Sequence, residues 1–246
     1  MKRLNRWISL GILCWALAAS LCAQTPQLQP GVDRWSIKTS VPSHPAKISM
    51  SINELLALPN PISKNVAEYD TTRIPKPVGP NSIKEGELVT TSAWLHLVAL
   101  ENDSKTHRDG DYHIQIRKSA AWADSCLVIE VPLPKFISDP NLAAECEKVR
   151  EFIKTKILAG KEPGTAGNKL THPVYVKVTG QLFFDATHLK GNPRGKRNMK
   201  SYTPWELHPI ISISFAPIPK SPQRGVVRSC RTRRQSPCLR PGNLIK

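Results

Sequence analysis

The 246-residue chain carries 35 basic and 19 acidic side chains, which gives a formal net charge of +16 at pH 7. Its 22 prolines are about twice the average share, and its hydrophobic content of 40% is too high for a fully disordered chain. Only one uncharged run approaches the length of a membrane span, which excludes a multipass membrane protein. The length therefore allows one domain with extensions or two small domains, and the charge points to an anionic partner.

Residues 1–23 have the pattern of a secretory signal peptide. Lys2, Arg3 and Arg6 precede an uncharged run that ends in small residues. An uncleaved anchor helix is the alternative, but the 17 residues of 7–23 are short for a hydrocarbon layer of about 30 Å. We expect cleavage, no membrane span in the mature chain, and a periplasmic or extracellular location.

Residues 217–246 contain eight basic residues, five prolines and no acid. Because they lack apolar periodicity, they cannot bury enough surface to offset the entropy of ordering, and we expect a disordered basic tail. The leader contributes +3 and the tail +8 to the net charge, which leaves +5 for residues 24–216. Cys230 and Cys238 lie in this tail, where they are either paired or free.

Residues 24–87 are proline-rich and are predicted to form an irregular N-terminal extension. Within it, 34–39 is predicted to be a short strand. Ser51 and Glu54 have capping-box spacing ahead of a short apolar run, which predicts one short helix that Pro59 ends.

Residues 88–216 contain five predicted strands and one helix. The strands cover 88–101, 111–118, 126–131, 173–185 and 205–215, with Gly180 as an expected bulge. The helix follows a start signal at Asp139, and its apolar stripe consists of Leu142, Cys146, Val149, Ile153 and Ile157. The order β-β-β-α-β-β is that of a five-stranded Greek-key OB barrel, and a different α+β sheet is the alternative.

Two strands alternate between apolar and polar side chains. In 111–118, one face consists of Tyr112, Ile114 and Ile116, and the other of His113, Gln115 and Arg117. In 205–215, the predicted core face consists of Trp205, Leu207, Ile211, Ile213 and Phe215, and the opposite face of Glu206, His208, Ser212 and Ser214.

Cys126 in the third strand and Cys146 on the helix are predicted to form a disulfide. Packing of the helix against the barrel makes the bridge sterically feasible. Closing the loop from Cys126 to Cys146 would contribute about 3 kcal/mol through chain entropy. Export would permit the oxidation. Two buried thiols are the alternative. No histidine or second cysteine lies at zinc-finger spacing from these cysteines, so they are not predicted to bind zinc. No bound metal and no cofactor is predicted for the chain.

Five sequence blocks resemble a group of exported bacterial proteins that form small barrels. The blocks are 35–39 (WSIKT), 109–114 (DGDYHI), 126–134 (CLVIEVPLP), 176–185 (VKVTGQLFFD) and 206–209 (ELHP). They have the same order in that group and span about residues 33–215, without the tail. The chain departs from the group in the long, charged loops before Asp109 and before Trp205. The resemblance implies a barrel and export, and it implies no reaction or catalytic residue.

The loop 186–204 is the leading candidate for ligand binding. OB barrels usually bind ligands across their second and third strands, between loops that correspond here to 102–110 and 186–204. Loop 186–204 has five cations and no acid, and the predicted ligand-binding residues are Lys190, Arg194, Lys196, Arg197, Lys200 and Tyr202. A solvated flexible loop is the alternative, and the neighbouring Trp205 is expected in the core.

A second group of polar residues could act in catalysis or bind a metal: Asp109, Asp111, His113, Asp185, His188, Glu206 and His208. If their strands pair suitably, His113 and His208 would meet beside a carboxylate, which suits general-base or metal-ligand chemistry. The structural alternative is a hairpin turn at 109–111 and a histidine that hydrogen-bonds at a bulge. The sequence contains no recognised catalytic or phosphate-binding motif.

The leading hypothesis is an exported, non-catalytic OB-like module that contacts an anionic ligand, with an envelope polymer or lipid favoured over nucleic acid. One alternative is a small secreted hydrolase or nuclease that uses the histidine–carboxylate cluster. Another is a structural envelope protein whose loops only confer solubility. A wide separation of His113 from His208, with no shared carboxylate, would exclude the hydrolase.

Overall fold

A computed structural model describes residues 34–61, 66–102, 108–123, 125–188 and 193–219. The predicted signal peptide, most of the predicted tail, and Lys190, Cys230 and Cys238 therefore lie outside the described residues. The chain divides after Ala216 into two units, 1–216 and 217–246, and every element below belongs to the first. Among the described residues, no helix is both long and apolar enough to cross a membrane.

Six strands form one sheet: β1 (Lys47–Ser49), β2 (Leu88–Leu100), β3 (Tyr112–Arg117), β4 (Leu127–Val131), β5 (Asn168–Phe184) and β6 (Trp205–Phe215). The sheet order is β1-β2-β3-β4-β6-β5, and β5 pairs again with β2, so β2 to β6 close into a barrel. Within the barrel, β4 and β6 are parallel and the other neighbours are antiparallel. The predicted OB-like five-stranded barrel is confirmed.

The N-terminal extension packs onto the barrel and is more regular than predicted. α1 (Trp35–Lys38) is a single helical turn, so the strand predicted for 34–39 is wrong; six residues are too few for alternation to separate the two. β1 adds in parallel to the start of β2. α2 (Ile52–Leu56) has the predicted capping box between Ser51 and Glu54.

α3 (Pro140–Phe152) lies between β4 and β5, as predicted, and packs against β6. The Asp139 carboxylate caps it by accepting hydrogen bonds from two backbone N–H groups of the first turn. Arg150 donates to the carbonyl oxygens of Gly110 and Val131 at 3.0 and 3.1 Å. These bonds fix the helix beside the end of β4.

The core follows the predicted apolar faces except in β6. Trp205 and Leu207 are buried, but the pairing register with β5 shifts around Gly180, so Ile210 enters the core and Phe215 is 52% exposed. The predicted apolar face therefore holds for Trp205 and Leu207 and in part for Ile211 and Ile213, which pack against the core, but it missed Ile210 and is wrong for Phe215, because a bulge changes which residues point inward. The irregularity at Gly180 itself is confirmed. A Cβ there would lie 2.7 Å from Ile210 Cδ1, which explains the glycine.

Cys126 and Cys146 are both buried free thiols, so the predicted disulfide is wrong. Cys126 precedes the start of β4, where its backbone N–H donates to the carbonyl of Lys200. Cys146 lies on α3, which is fixed near the opposite end of β4, and its thiol donates to the carbonyl of Ile210 at 3.8 Å. The two sulfur atoms therefore face different ends of one strand. Burial raises the pKa of each thiol to about 12.

A buried ion pair joins two parts of the extension and, through the backbone of Phe184, attaches both to the barrel. The Arg34 guanidinium binds the Glu85 carboxylate through two bonds of 2.7 Å, and both side chains are almost fully buried. Arg34 also donates to the carbonyl of Phe184 at 2.7 Å, while Glu85 accepts from the backbone N–H groups of Ile74 and Phe184. Because the charged atoms are hydrogen-bonded on both sides, the pair retains much of its attraction after desolvation.

We predict that Arg34→Ala destabilises the chain by about 3–5 kcal/mol, because it leaves the Glu85 charge buried without its partner. Urea unfolding of the full chain measures the loss. The matched control is Lys154→Ala, which breaks the exposed Lys154–Glu162 pair and should leave the free energy of unfolding nearly unchanged. Equal losses in the two variants would contradict this account of the extension.

Candidate functional site

Ionisable side chains converge on the face formed by β3, β4 and β6. Seven of them are buried: Asp109, Asp111, His113, Glu130, Asp185, Glu206 and His208. On β3, the predicted core residues Tyr112, Ile114 and Ile116 are buried, and so are His113 and Gln115 on the opposite face. We call these seven residues, together with Glu101, Lys38 and Arg194, the ionic centre.

Glu130 on β4 contacts both candidate histidines. Its Oε1 lies 3.0 Å from Nδ1 of His113, and its Oε2 lies 3.2 Å from Nδ1 of His208. His113 also approaches Glu101 at 3.3 Å. The expected meeting of the two histidines beside a carboxylate therefore occurs. Sequence reasoning missed Glu130, although an acid inside the apolar run 127–131 was a signal, and it pairs with His113 in the strand register.

Asp111 reaches the centre from the residue before β3. Its Oδ1 accepts a hydrogen bond from the backbone N–H of Leu133 at 3.2 Å, and its Oδ2 lies 3.5 Å from Nε2 of His208. Asp109 accepts from the backbone N–H of Asp111 at 3.3 Å, as in an Asx turn. Asp111 lies two residues before His113 but contacts different partners, whereas Glu206 and His208 lie 3.5 Å apart.

The close carboxylates shift the pKa values of the two histidines upward. Burial lowers the pKa of His113, but Glu101 and Glu130 outweigh it and raise the value to about 9. For His208, burial and Lys38 lower the pKa, and Glu130 and Glu206 raise it to about 9. The geometry therefore favours protonated imidazoles in the absence of any other cation.

The carboxylates of the centre differ in their preferred protonation. Burial raises the pKa of Asp111 to about 7 and that of Asp109 to about 6. Burial also disfavours ionised Glu130, but Lys38 and the two histidines hold its pKa well below the usual range. Lys38 Nζ lies 3.8 Å from Glu130 Oε2. Lys38 comes from α1, and sequence reasoning missed it because the extension was predicted as a separate, irregular segment.

Arg194 binds inside the centre, not at the surface. Its Nη1 lies 2.5 Å from Asp185 Oδ2 and 2.7 Å from Glu206 Oε2, and its side chain is 8% exposed. His188 Nδ1 also contacts Asp185, at 2.7 Å. Asp185 and His188 thus form a charge group with Arg194, apart from the two central histidines. Arg194 anchors the loop 186–204, which we call the β5–β6 connection, and it is unavailable to an external ligand.

The rest of the predicted ligand-binding loop lies on the outer side. Its residues 196–199 form a turn in which Arg197 and Asn198 adopt positive φ, and Gln115 on β3 bonds the backbone of Lys196 and Met199. Arg197 is exposed, Lys196 and Lys200 are half-buried, and Tyr202 is 66% exposed. Lys190 lies outside the described residues. The neighbouring Trp205 is in the core, as expected.

The face that OB barrels usually offer to ligands is covered here. All five residues of β4 and five of the six residues of β3 are buried. α1 and the β5–β6 connection lie over this face, as the contacts of Lys38 and Lys196 demonstrate. Within the described ranges, a polymer therefore cannot lie across β3 and β4 in this conformation.

Two sets of three side chains have the spacing of metal ligands. Glu101, His113 and Glu130 form one set, and Asp111, Glu130 and His208 form the other. In each set, one donor atom per residue lies within 4.8 Å of the others. The second set is buried throughout, whereas Glu101 in the first is half-buried.

Comparison with known proteins identifies no family. No family model matches the chain, and no curated protein matches it. Among solved structures, asparaginyl-tRNA synthetase from Entamoeba histolytica matches at 17% identity with a TM-score of 0.28, over 58% of this chain and 23% of the synthetase. The same enzyme with asparaginyl-adenylate matches at 18% identity, with a TM-score of 0.27, over 59% of this chain and 23% of that one. The chain thus spans about a quarter of the synthetase, and the OB-like assignment is based on strand order alone.

The Asp185 group predicts a defined pH dependence of stability. Burial opposes ionisation of Asp185, but Arg194 and His188 lower its pKa, so its contribution is present above the unfolded value of about 3.9 and is lost below it. The bond to Asp185 raises the pKa of His188, so this contribution is present below about 6.5 and is lost as pH rises. We expect Asp185→Asn to cost about 2 kcal/mol between about pH 4 and 6.5.

Urea unfolding of wild type and Asp185→Asn from about pH 2 to about pH 8, which extends beyond both ends of this window, measures that difference. It should shrink towards acid pH, where Asp185 is protonated, and shrink in part above neutrality, where only the Arg194 pairing remains. Asp70→Asn, at an exposed aspartate, is the control. A difference that is constant with pH would show that the loss comes from packing instead of charge.

Proposed function

We propose that the chain is an exported, non-catalytic OB-like binding module that contacts an anionic ligand through the outer side of its β5–β6 connection. The observation that carries the proposal is the division of this connection into two sides. Arg194 is held inside by Asp185 and Glu206, while Arg197 and Tyr202 are exposed on the outside.

The attachment of the connection supports a binding role over a merely solvated loop. Its backbone forms hydrogen bonds with the side chain of Gln115 on β3 and with the backbone of Cys126 before β4. Backbone hydrogen bonds between Arg194 and Ser201 also link two parts of it. A connection fixed at several points loses little conformational entropy when a ligand binds. Among the other described cations of the connection, Arg197 is exposed and Lys196 and Lys200 are half-buried, and the ring of Tyr202 is 66% exposed.

An acidic envelope polymer or an anionic lipid is the ligand class that fits an exported protein with this surface. Charge attraction to sulfate, phosphate or carboxylate groups requires no specific groove, so the covered face of β3 and β4 does not oppose it. An aromatic ring beside cations also suits single-stranded nucleic acid. A nucleic-acid ligand would produce tighter binding to an oligonucleotide than to an acidic polysaccharide of equal charge.

We predict that Lys196→Ala/Arg197→Ala weakens binding of the full chain to heparin, used as a probe polyanion. Since each cation that contacts an anionic group adds roughly one to the slope of log affinity against log salt, the slope should fall by about two. Elution from immobilised heparin over a salt gradient, together with titration at several salt concentrations, measures both effects.

The matched control is Lys148→Ala/Lys156→Ala, which removes the same charge from exposed positions on α3 and the turn after it. Both proteins keep the basic tail, so the contribution of the tail is constant. An equal loss in the two double variants, or no loss in the first, would overturn the proposal.

A small hydrolase is the second candidate function. The observation that favours it is the Glu130 carboxylate shared by His113 and His208. The complete burial of His208 and Asp111 opposes it, because a substrate must touch its general base. If the wild-type chain hydrolyses bis(p-nitrophenyl) phosphate and Glu130→Gln abolishes the activity, the hydrolase is supported; absence of wild-type turnover counts against it.

A further inference from the structure

The binding proposal leaves the ionic centre without a role, and its donor geometry points to a separate site. We propose that Asp111, Glu130 and His208 bind a divalent first-row transition-metal ion, with Zn²⁺ and Mn²⁺ as the best-fitting ions. One carboxylate oxygen from each acid and one ring nitrogen of His208 lie within 4.8 Å of one another. Ligands about 2.1 Å from a common ion lie roughly 3–4 Å apart, so small rotations of these side chains suffice.

The scaffold of this site is rigid. Asp111 precedes β3, Glu130 lies in β4 and His208 in β6, and β4 is paired with both of the other strands. The Leu133 backbone N–H holds Asp111 Oδ1 at 3.2 Å, which leaves Oδ2 directed towards His208. A site built on barrel strands can keep its ligands in position without a ligand-induced rearrangement of the backbone.

Unused hydrogen-bonding capacity is the independent observation that points to a ligand. Within the described part of the chain, Asp111 Oδ2 and both ring nitrogens of His208 are buried and make no hydrogen bond. Asp111 and His208 each have 0% exposure. Their ion-pair distances of 3.2–3.5 Å are long for such bonds. Buried polar atoms are normally satisfied. A metal ion would satisfy Asp111 Oδ2 and one ring nitrogen of His208, and the other ring N–H would donate to a neighbouring carboxylate.

His113 acts as a positioning residue for the proposed ligand Glu130. Its Nδ1 lies 3.0 Å from Glu130 Oε1, and its Nε2 lies 3.3 Å from Gln115 Oε1. The bond to Oε1 leaves Glu130 Oε2 on the side of His208. Groups that hold ligands in this way increase metal affinity by fixing the donor orientation.

The chemistry of the donors selects the ion. Two carboxylates balance the charge of a divalent cation, and an imidazole nitrogen favours transition metals over Ca²⁺ or Mg²⁺, which prefer oxygen. Lys38 is a competitor, since its Nζ lies 3.8 Å from the same Glu130 Oε2. Its side chain is 16% exposed on α1, at the edge of the centre. The metal and the Lys38 ammonium therefore compete for one oxygen.

The full chain, treated with EDTA and dialysed, should be titrated with MnCl₂ and with ZnCl₂ by calorimetry. We expect wild type to bind Mn²⁺ and to unfold at a higher temperature when Mn²⁺ is present, because the ion binds the folded chain. Asp111→Asn and Glu130→Gln, which keep side-chain size, should each weaken binding by more than about tenfold. Their unfolding temperatures should no longer respond to Mn²⁺.

The control variant is Asp185→Asn, which removes a buried carboxylate of the same ionic centre that is not a proposed ligand. It should weaken Mn²⁺ binding far less than Asp111→Asn does, since its described link to His208 passes through Arg194 and Glu206. Lys38→Met should raise affinity by about tenfold, because it removes the competing charge. His113→Gln should lower it by about 10–100-fold, as expected for a positioning residue.

The proposal is overturned if folded wild type binds neither ion at millimolar concentration, or if Asp111→Asn binds Mn²⁺ as wild type does. It is also overturned if Asp185→Asn loses as much affinity as Asp111→Asn. In those cases the centre is a structural ion network. Heparin binding by Lys196→Ala/Arg197→Ala is measured separately, so either proposal can fail without the other.

Discussion

The bidentate Arg34–Glu85 pair is the constraint on which the remaining structure depends. It joins the start of the described extension to the residues just before β2, and Arg34 also binds the carbonyl of Phe184 at the end of β5. α1 follows Arg34 directly, so the pair determines where Lys38 lies. Within α1 only Ile37 is buried, so this turn depends on the pair for its position, whereas the rest of the extension also buries apolar side chains such as Leu55 and Ile83 in the core. Because Arg34 and Glu85 satisfy each other, they attach the extension over the ionic centre without forming ion pairs with its charged residues.

Enclosure then determines the behaviour of the charged residues. In a medium of low dielectric, neighbouring charges interact strongly, so each carboxylate needs a cation, a donor or a proton. Glu130 has Lys38 and two histidines around it, and Asp185 has Arg194 and His188. Burial and the neighbouring Asp109 raise the pKa of Asp111 more than His208 and Lys38 lower it, whereas nearby cations hold the pKa values of Glu130 and Asp185 low. In the described part of the chain, Asp111 Oδ2 and both ring nitrogens of His208 are buried without a hydrogen bond, as are both carboxylate oxygens of the neighbouring Glu206.

The fold could be predicted from sequence where the signals came from neighbouring residues. Of the ionic centre, only the meeting of His113 and His208 could be predicted, and only on the condition that their strands lie close together. Alternation in β3, the Asp139 cap and the apolar stripe of α3 depend on neighbouring residues, and they gave the correct element order. Glu130, Lys38 and the inward turn of Arg194 depend on pairings between segments distant in sequence, which periodicity does not encode. The failure of the predicted Cys126–Cys146 disulfide has the same cause, since the distance between the two thiols depends on which end of β4 lies against α3. The bulge in β6 moved Ile210 into the core for a similar reason, because it arises only against Gly180 of β5.

The β5–β6 connection belongs to both the enclosed centre and the outer surface. Arg194 contacts Asp185 and Glu206 inside, and three residues later Arg197 is exposed to solvent. Glu206 lies between Arg194 at 2.7 Å and His208 at 3.5 Å, so a cation that approached His208 would share its carboxylate neighbours with Arg194. A polymer can reach only the outer side, whereas a single ion is small enough to lie among the enclosed ligands. The size of what each side admits therefore separates the two proposed binding sites, one on the outer side of the connection and the other among Asp111, Glu130 and His208.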